Sequence, residues 1–170
     1  MGTALKSGRI WMADGEIHYE SQDYGSWSFP AADLRIFGEL TTDHGPMIDD
    51  WFFVFVVSSG PGWFEGSVYA EGADDFRRQL ATALGADDLH GELFASTEFA
   101  SRIIWPEPLR GQPLFRFTPI PSPWWQRILR FGIETLRVEL SPAVKLCAGH
   151  TSSHCVGASD SKPAGKPVSE

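Results

Sequence analysis

The sequence is poor in cysteine, in long apolar runs and in positive charge, and each shortage removes a class of protein. Two Cys in 170 residues cannot form a disulfide framework. No charged segment followed by an apolar stretch lies between Met1 and Ile10, so a reducing, cytoplasmic setting without export is expected. The longest apolar run, Trp51 to Val57, has seven residues, far short of the ~20 that a bilayer-spanning helix needs. Lys and Arg number 14 against 22 Asp and Glu, a formal charge of −8. Sequence-independent nucleic-acid binding draws its affinity from phosphate neutralisation, so that balance disfavours it. The stretch SSGPGWFEG, beginning at Ser58, has no Lys and no following helix and therefore reads as a hairpin turn, not a phosphate loop. No G-x-S-x-G elbow is present, and no cofactor is expected.

What the chain does have is aromatic mass. Seven Trp and twelve Phe, within a 42% hydrophobic composition, remove enough apolar surface from water to drive folding without staples. The length suits one domain, expected over residues 1–140, followed by a tail over 141–170 that is small, polar and Pro/Gly-rich and reads as disordered. The charge is uneven. Residues 1–100 hold 17 acids and 5 bases, a charge of −12, whereas residues 101–170 hold 5 acids and 9 bases, a charge of +4. The plainer reading is that the later segment packs against the earlier one, with Arg102, Trp105 and Arg110 as the lock; a separate basic surface is the sharper alternative.

Strands come first. Gly8 to Ala13 and Glu16 to Ser21 flank Asp14-Gly15, a dipeptide that supplies the positive φ angles of a two-residue hairpin turn. Leu34, Ile36 and Leu40 alternate with Arg35, Phe37 and Glu39, the period of a strand with one face buried. Trp51 to Val57 reads as a central strand and Trp63 to Ala70 as its partner, so the first 70 residues form one antiparallel meander. After Gly72 the period becomes helical, with Phe76, Leu80, Ala83 and Leu84 on one stripe, Asp74 and Asp75 in the first turn and Gly85 as the stop. Around Phe99 to Trp105 the pattern allows a helix begun by Ser96 or Thr97, or a strand. Prolines make 105–123 mostly extended, with one strand at Leu114 to Thr118. Ser122-Pro123 then opens an amphipathic helix over 123–138 with Trp125, Ile128, Leu129, Ile133 and Leu136 on its apolar face.

The motifs Gly8-Arg9-Ile10, Asp14-Gly15-Glu16-Ile17, Phe29-Pro30 with Asp33-Leu34, and Phe76 to Leu80 make residues 8–85 resemble a bacterial pleckstrin-homology-like domain. What that resemblance implies is an α+β fold, a strongly bent antiparallel sheet capped by one helix, serving as a binding scaffold. Residues 87–140 have no counterpart in a minimal domain of that kind, so the extra amphipathic helix is an addition. The basic phosphoinositide-type loop is missing, and no lipid ligand is implied.

Two clusters carry ligand chemistry. Glu39, Asp43, His44, Asp49 and Asp50 could hold a hard cation or place a His beside carboxylates. Their spacing does not match a calcium loop and no activated nucleophile lies near, so an acidic connection between strands accounts for the same residues. Cys147, His150, His154 and Cys155 are four zinc-capable ligands within nine residues, set in a Gly/Ser tail without an apolar shell. The leading expectation is a non-catalytic interaction module presenting an acidic surface, Asp43, His44, Asp49 and Asp50 included, to a protein partner. The alternatives are a metal-binding protein or metal-dependent hydrolase using residues 39–50, and a peripheral membrane protein using the Trp124-Trp125 helix.

Overall fold

A computed structural model describes residues 7–42, 48–59, 62–93, 99–119 and 136–148, without the side chains of 117–119, 136–138 and 146–148. The described chain is α+β: antiparallel sheets, two helices and no closed barrel. Three strands form the first sheet in the order β1 (Arg9–Ala13), β2 (Glu16–Ser21), β3 (Gly25–Pro30). The second has four strands, with β4 (Leu34–Thr41) between β5 (Trp51–Val57) and β7 (Ala100–Trp105), and β6 (Trp63–Ser67) beyond β5. β8 (Phe115–Pro119) and β9 (Leu136–Leu140) pair as a separate two-stranded antiparallel sheet. The helices are α1 (Ala73–Leu84) and α2 (Pro142–Ala148).

The β1–β2 turn forms as its dipeptide dictates, with Asp14 at φ 51° and Gly15 at φ 80°. The single meander expected over the first 70 residues is instead two. A short 3₁₀ turn at Ala31–Asp33 separates them, and β3 does not pair with β4. Sheet pairing therefore breaks where Pro30 removes a donor. The helix after Gly72 is present and stops at Gly85, whose left-handed conformation (φ 63°) lets its N–H bond back to the last turn. Residues 100–105 are a strand, since β4 offers them a ladder from Phe37 to Thr41.

Two cores share the four-stranded sheet. On one face Phe37, Phe53 and Phe55 meet Ile10, Ile17, Tyr19 and Phe29 of the first sheet and Phe76 and Leu80 of α1. On the other, Ile36, Leu40, Val54, Val56 and Ile103 meet Leu114, Phe115 and Val144. That double burial explains why Trp51 to Val57 is apolar throughout instead of alternating. It also corrects the one-faced reading of β4: Phe37 and Glu39 are as buried as Ile36. Two further expectations change. Residues 136–138, expected to end a helix over 123–138, belong to the strand Leu136–Leu140, which pairs with Phe115–Pro119; the rest of that helix lies outside the described residues. Pro142–Ala148, assigned to a disordered tail, is helical and seats Val144 fully in the core. Among the described residues no helix is long and apolar enough to cross a membrane.

Candidate functional site

Of the acidic loop, Asp49 and Asp50 are described, while Asp43 and His44 lie outside the described residues. Asp49 Oδ1 accepts a hydrogen bond from Ser7 Oγ (3.0 Å), and its Oδ2 is buried without a donor among the described residues. Asp50 is buried, and its Oδ1 accepts the Tyr69 hydroxyl at 2.7 Å. The Tyr69 ring is half exposed but its hydroxyl end points inward. Burial of that end, the bond to Asp50 and the charges of Asp50 and Asp49 push the hydroxyl up to about 12. Burial likewise raises Tyr24, with the Asp49 charge adding to it. The result is a polar seam at the entry to β5. Among the described residues no group of three or more His, Cys, Asp and Glu converges as a metal would require. Of the zinc-type residues, Cys147 falls in α2, and His150, His154 and Cys155 lie outside the described residues.

Glu39, expected from the sequence to belong with the acidic cluster, is instead committed elsewhere. It sits in mid-strand, fully buried, and its carboxylate accepts hydrogen bonds from Trp51 Nε1 (2.9 Å) and from the main-chain N–H groups of Glu92 (2.6 Å) and Leu93 (2.8 Å). It fastens the segment after α1 to the four-stranded sheet. Gly91 passes so close that a β-carbon there would collide with Glu39 Oε2. Nearby, Arg102 and Arg110 both approach Glu92, at 3.9 and 4.0 Å, and Arg102 Nη1 donates to the Gly111 carbonyl at 2.7 Å. The basic later segment thus does meet the acidic earlier one here. The groups are partly exposed, so these ion pairs position the turn more than they stabilise it.

A further surface escaped sequence reading. On the solvent face of the three-stranded sheet, Trp11 stacks on His18 (5.2 Å between ring centroids, 11° between planes) and the Arg9 guanidinium lies over the Trp11 ring at 5.2 Å from its centroid. Glu16 lies 3.8 Å from His18 in the next row, and Glu20 is exposed. Ser26 and Ser28 of β3 are short beside these rings, leaving an open groove of about 270 Å³ lined by Trp11, His18, Glu20, Ser26 and Ser28. The signal available in the sequence was period-two spacing of polar and aromatic residues on the outward positions of β1 and β2, Arg9, Trp11, Glu16, His18 and Glu20. The groove itself depends on β3. A second groove runs beside α1 past Arg77, Arg78 and His90. There Arg77 is already paired with Asp74 and Arg78 with Asp75.

Compared with family models, with curated proteins and with solved structures, the chain matches none.

Proposed function

We propose that this chain is a non-catalytic interaction module, on a scaffold of the pleckstrin-homology-like kind, that presents an acidic face to a protein partner. The observation carrying this reading is the groove over Ser26 and Ser28, where a stacked Trp11–His18 pair stands on the solvent side of a sheet between half-buried Glu16 and exposed Glu20. A partly exposed aromatic pair flanked by solvent-facing carboxylates is the composition of a recognition surface, since aromatics supply contact area and charges supply orientation. The two stacked antiparallel sheets, with α1 packed over Phe53 and Phe55, support the scaffold half of the reading.

The test is selection of binders from a random-peptide display library on the intact chain. Enriched binders should lose binding to Trp11→Ala and to Glu16→Gln/Glu20→Gln while those variants keep the wild-type melting temperature. A library that yields no enrichment, or binders indifferent to both variants, overturns the proposal.

A further inference from the structure

Among the described residues, three of the four edges of the two larger sheets have main-chain groups taken up by hydrogen bonds from outside the sheet. On β1, Ile10 N–H donates to Glu71 C=O (2.9 Å) and Gly8 C=O accepts from Glu71 N–H (2.9 Å). On β7, Ile103 bonds in both directions with the turn at Gly111 and Gln112, at 2.8 and 2.9 Å. On β6, side chains do the work: the Tyr19 hydroxyl accepts from Ser67 N–H (3.2 Å), and Trp27 Nε1 donates to Glu65 C=O (2.8 Å). Natural sheets block their edges because a row of free donors and acceptors recruits another strand.

The outer edge of β3 has no such seal. Ala31 N–H donates to Gly15 C=O at 2.9 Å, in register with the β2–β3 ladder. Narrow and wide pairs alternate in an antiparallel ladder. Phe29, Trp27 and Gly25 therefore turn their main-chain groups toward β2, and Ser28 and Ser26 turn theirs away. The same alternation on β1 puts Ile10 on the outer edge, as observed. Ser26 and Ser28 are exposed, and no partner for their N–H or C=O groups exists among the described residues. Pro30 removes a donor at the last position of this edge, but no Lys, bulge or Pro blunts it at Ser26 and Ser28.

Building on the interaction-module reading, we infer that β3 receives an extended basic peptide as a fourth, antiparallel strand, held by the N–H and C=O groups of Ser26 and Ser28. Sheet geometry specifies its side chains. A residue opposite Ser26 lies in one cross-strand row with Ser26 and Glu20; one opposite Ser28 shares a row with His18 and Trp11; one opposite Pro30 shares a row with Glu16. Adjacent strands lie ~4.8 Å apart, so a long side chain crosses the small serine, or the flat proline, to the next strand. The rows therefore select a cation, an aromatic and a cation at alternate positions, with apolar residues between them that face the Trp27 and Phe29 side. Charge complementarity argues for the basic partner: although Arg9 stands opposite Glu20 on β1, the two make no ion pair among the described residues, and Asp14, Asp23 and Glu16 add negative charge around the same edge. A second copy of the chain is a poor occupant, since pairing β3 with itself gathers the Glu16 and Glu20 of both copies on one face, in a molecule already at −8.

The probe is an acetylated and amidated peptide, Lys-Val-Tyr-Val-Lys, titrated into the full chain with NMR and amide-exchange readouts. Binding should slow exchange of the Ser26 and Ser28 amides at least tenfold and weaken as salt rises. Glu16→Gln/Glu20→Gln should weaken it about tenfold. Ser28→Pro removes an outward N–H without touching the β2 ladder, a position where sheets tolerate proline, and should abolish binding. Should that variant fail to fold, N-methylation of the peptide's central amide removes the donor to Ser28 C=O from the ligand side and should abolish binding equally. No binding, equal binding of the N-methylated peptide, or unprotected Ser26 and Ser28 amides in the complex overturns strand addition. If binding still depends on Glu16, Glu20 and Trp11 in that last case, the acidic-face reading stands alone; indifference to all three removes both. Ser26 and Ser28 amides already protected in the free protein, with a dimer in sedimentation, overturn the inference in favour of self-pairing.

Discussion

Replacing Glu39 by Gln isolates one buried carboxylate with almost no change in shape. In the wild type two main-chain donors and one indole N–H converge on it. The amide keeps an oxygen for Glu92 and Leu93, but its NH₂ faces the Trp51 indole, donor against donor. A hydrogen bond to a charged acceptor contributes about 1.5–3 kcal/mol, and the two surviving bonds weaken by about half when the acceptor becomes neutral. Against this, the amide is easier to desolvate than a carboxylate, which returns roughly 1–2 kcal/mol. The net expectation is a loss of about 2–3 kcal/mol, read as a lower urea midpoint at unchanged slope. At roughly 2–4 °C per kcal/mol for a chain of this size, Tm falls by about 5–10 °C. Trp51→Phe removes the conflicting donor, so the double variant Glu39→Gln/Trp51→Phe should be more stable than the sum of the single changes by about 1–2 kcal/mol. Glu39→Gln within about 0.5 kcal/mol of wild type, together with an additive cycle, would refute the three-donor account.

The remaining predictions concern neighbouring groups. Gly91→Ala should destabilise the wild type by about 1–3 kcal/mol because the β-carbon meets the Glu39 carboxylate, and should be nearly harmless in a Glu39→Ala background, as paired denaturation curves will show. Tyr69 titrates near 12 when folded and near 10 when unfolded. The raised value means that its contribution is complete below the unfolded pKa and is lost as pH climbs from about 10 to about 12. All three tyrosines are raised, so tyrosinate absorbance followed with pH should show a late transition whose Tyr69 component moves earlier in Asp50→Asn. Asp49→Asn should be neutral or stabilising by up to about 1 kcal/mol in thermal melts, because it replaces a buried oxygen that has no donor while Ser7 keeps its acceptor.

Local rules carried the reading of the fold as far as they reach. Asp14-Gly15 announces its hairpin because few residues accept positive φ, and α1 announces itself by apolar spacing between two glycines. β3 was missed because Gly25, Ser26 and Ser28 are weak strand formers and only Trp27 and Phe29 face inward. The spacing of Leu136 continues a helical stripe, which is why residues 136–138 read as the end of a helix; pairing of Leu136–Leu140 with Phe115–Pro119 is a long-range fact that periodicity does not contain. The candidate site was legible in the same proportion. Asp49 and Asp50 stood out as acids, yet Asp50 is occupied by Tyr69, and Glu39 was grouped with them although it serves residues more than fifty positions later. The groove and the open edge arise only when β3 docks beside β2, so no single stretch of sequence displays them.

The two side chains that reach β6 have a bearing on solution behaviour that stability measurements would overlook. Tyr19 and Trp27 occupy main-chain groups that would otherwise be free at Glu65 and Ser67. Removing only the hydroxyl of Tyr19 leaves the ring packed but strands the buried Ser67 N–H without its acceptor and takes the donor from the Ser7 carbonyl, a loss of about 1–3 kcal/mol. Removing only the indole N–H of Trp27 instead frees the Glu65 carbonyl on the outer side of Trp63–Ser67. That damage would appear at high protein concentration, as filaments or precipitate growing strand upon strand, more than in the melting temperature of a dilute sample.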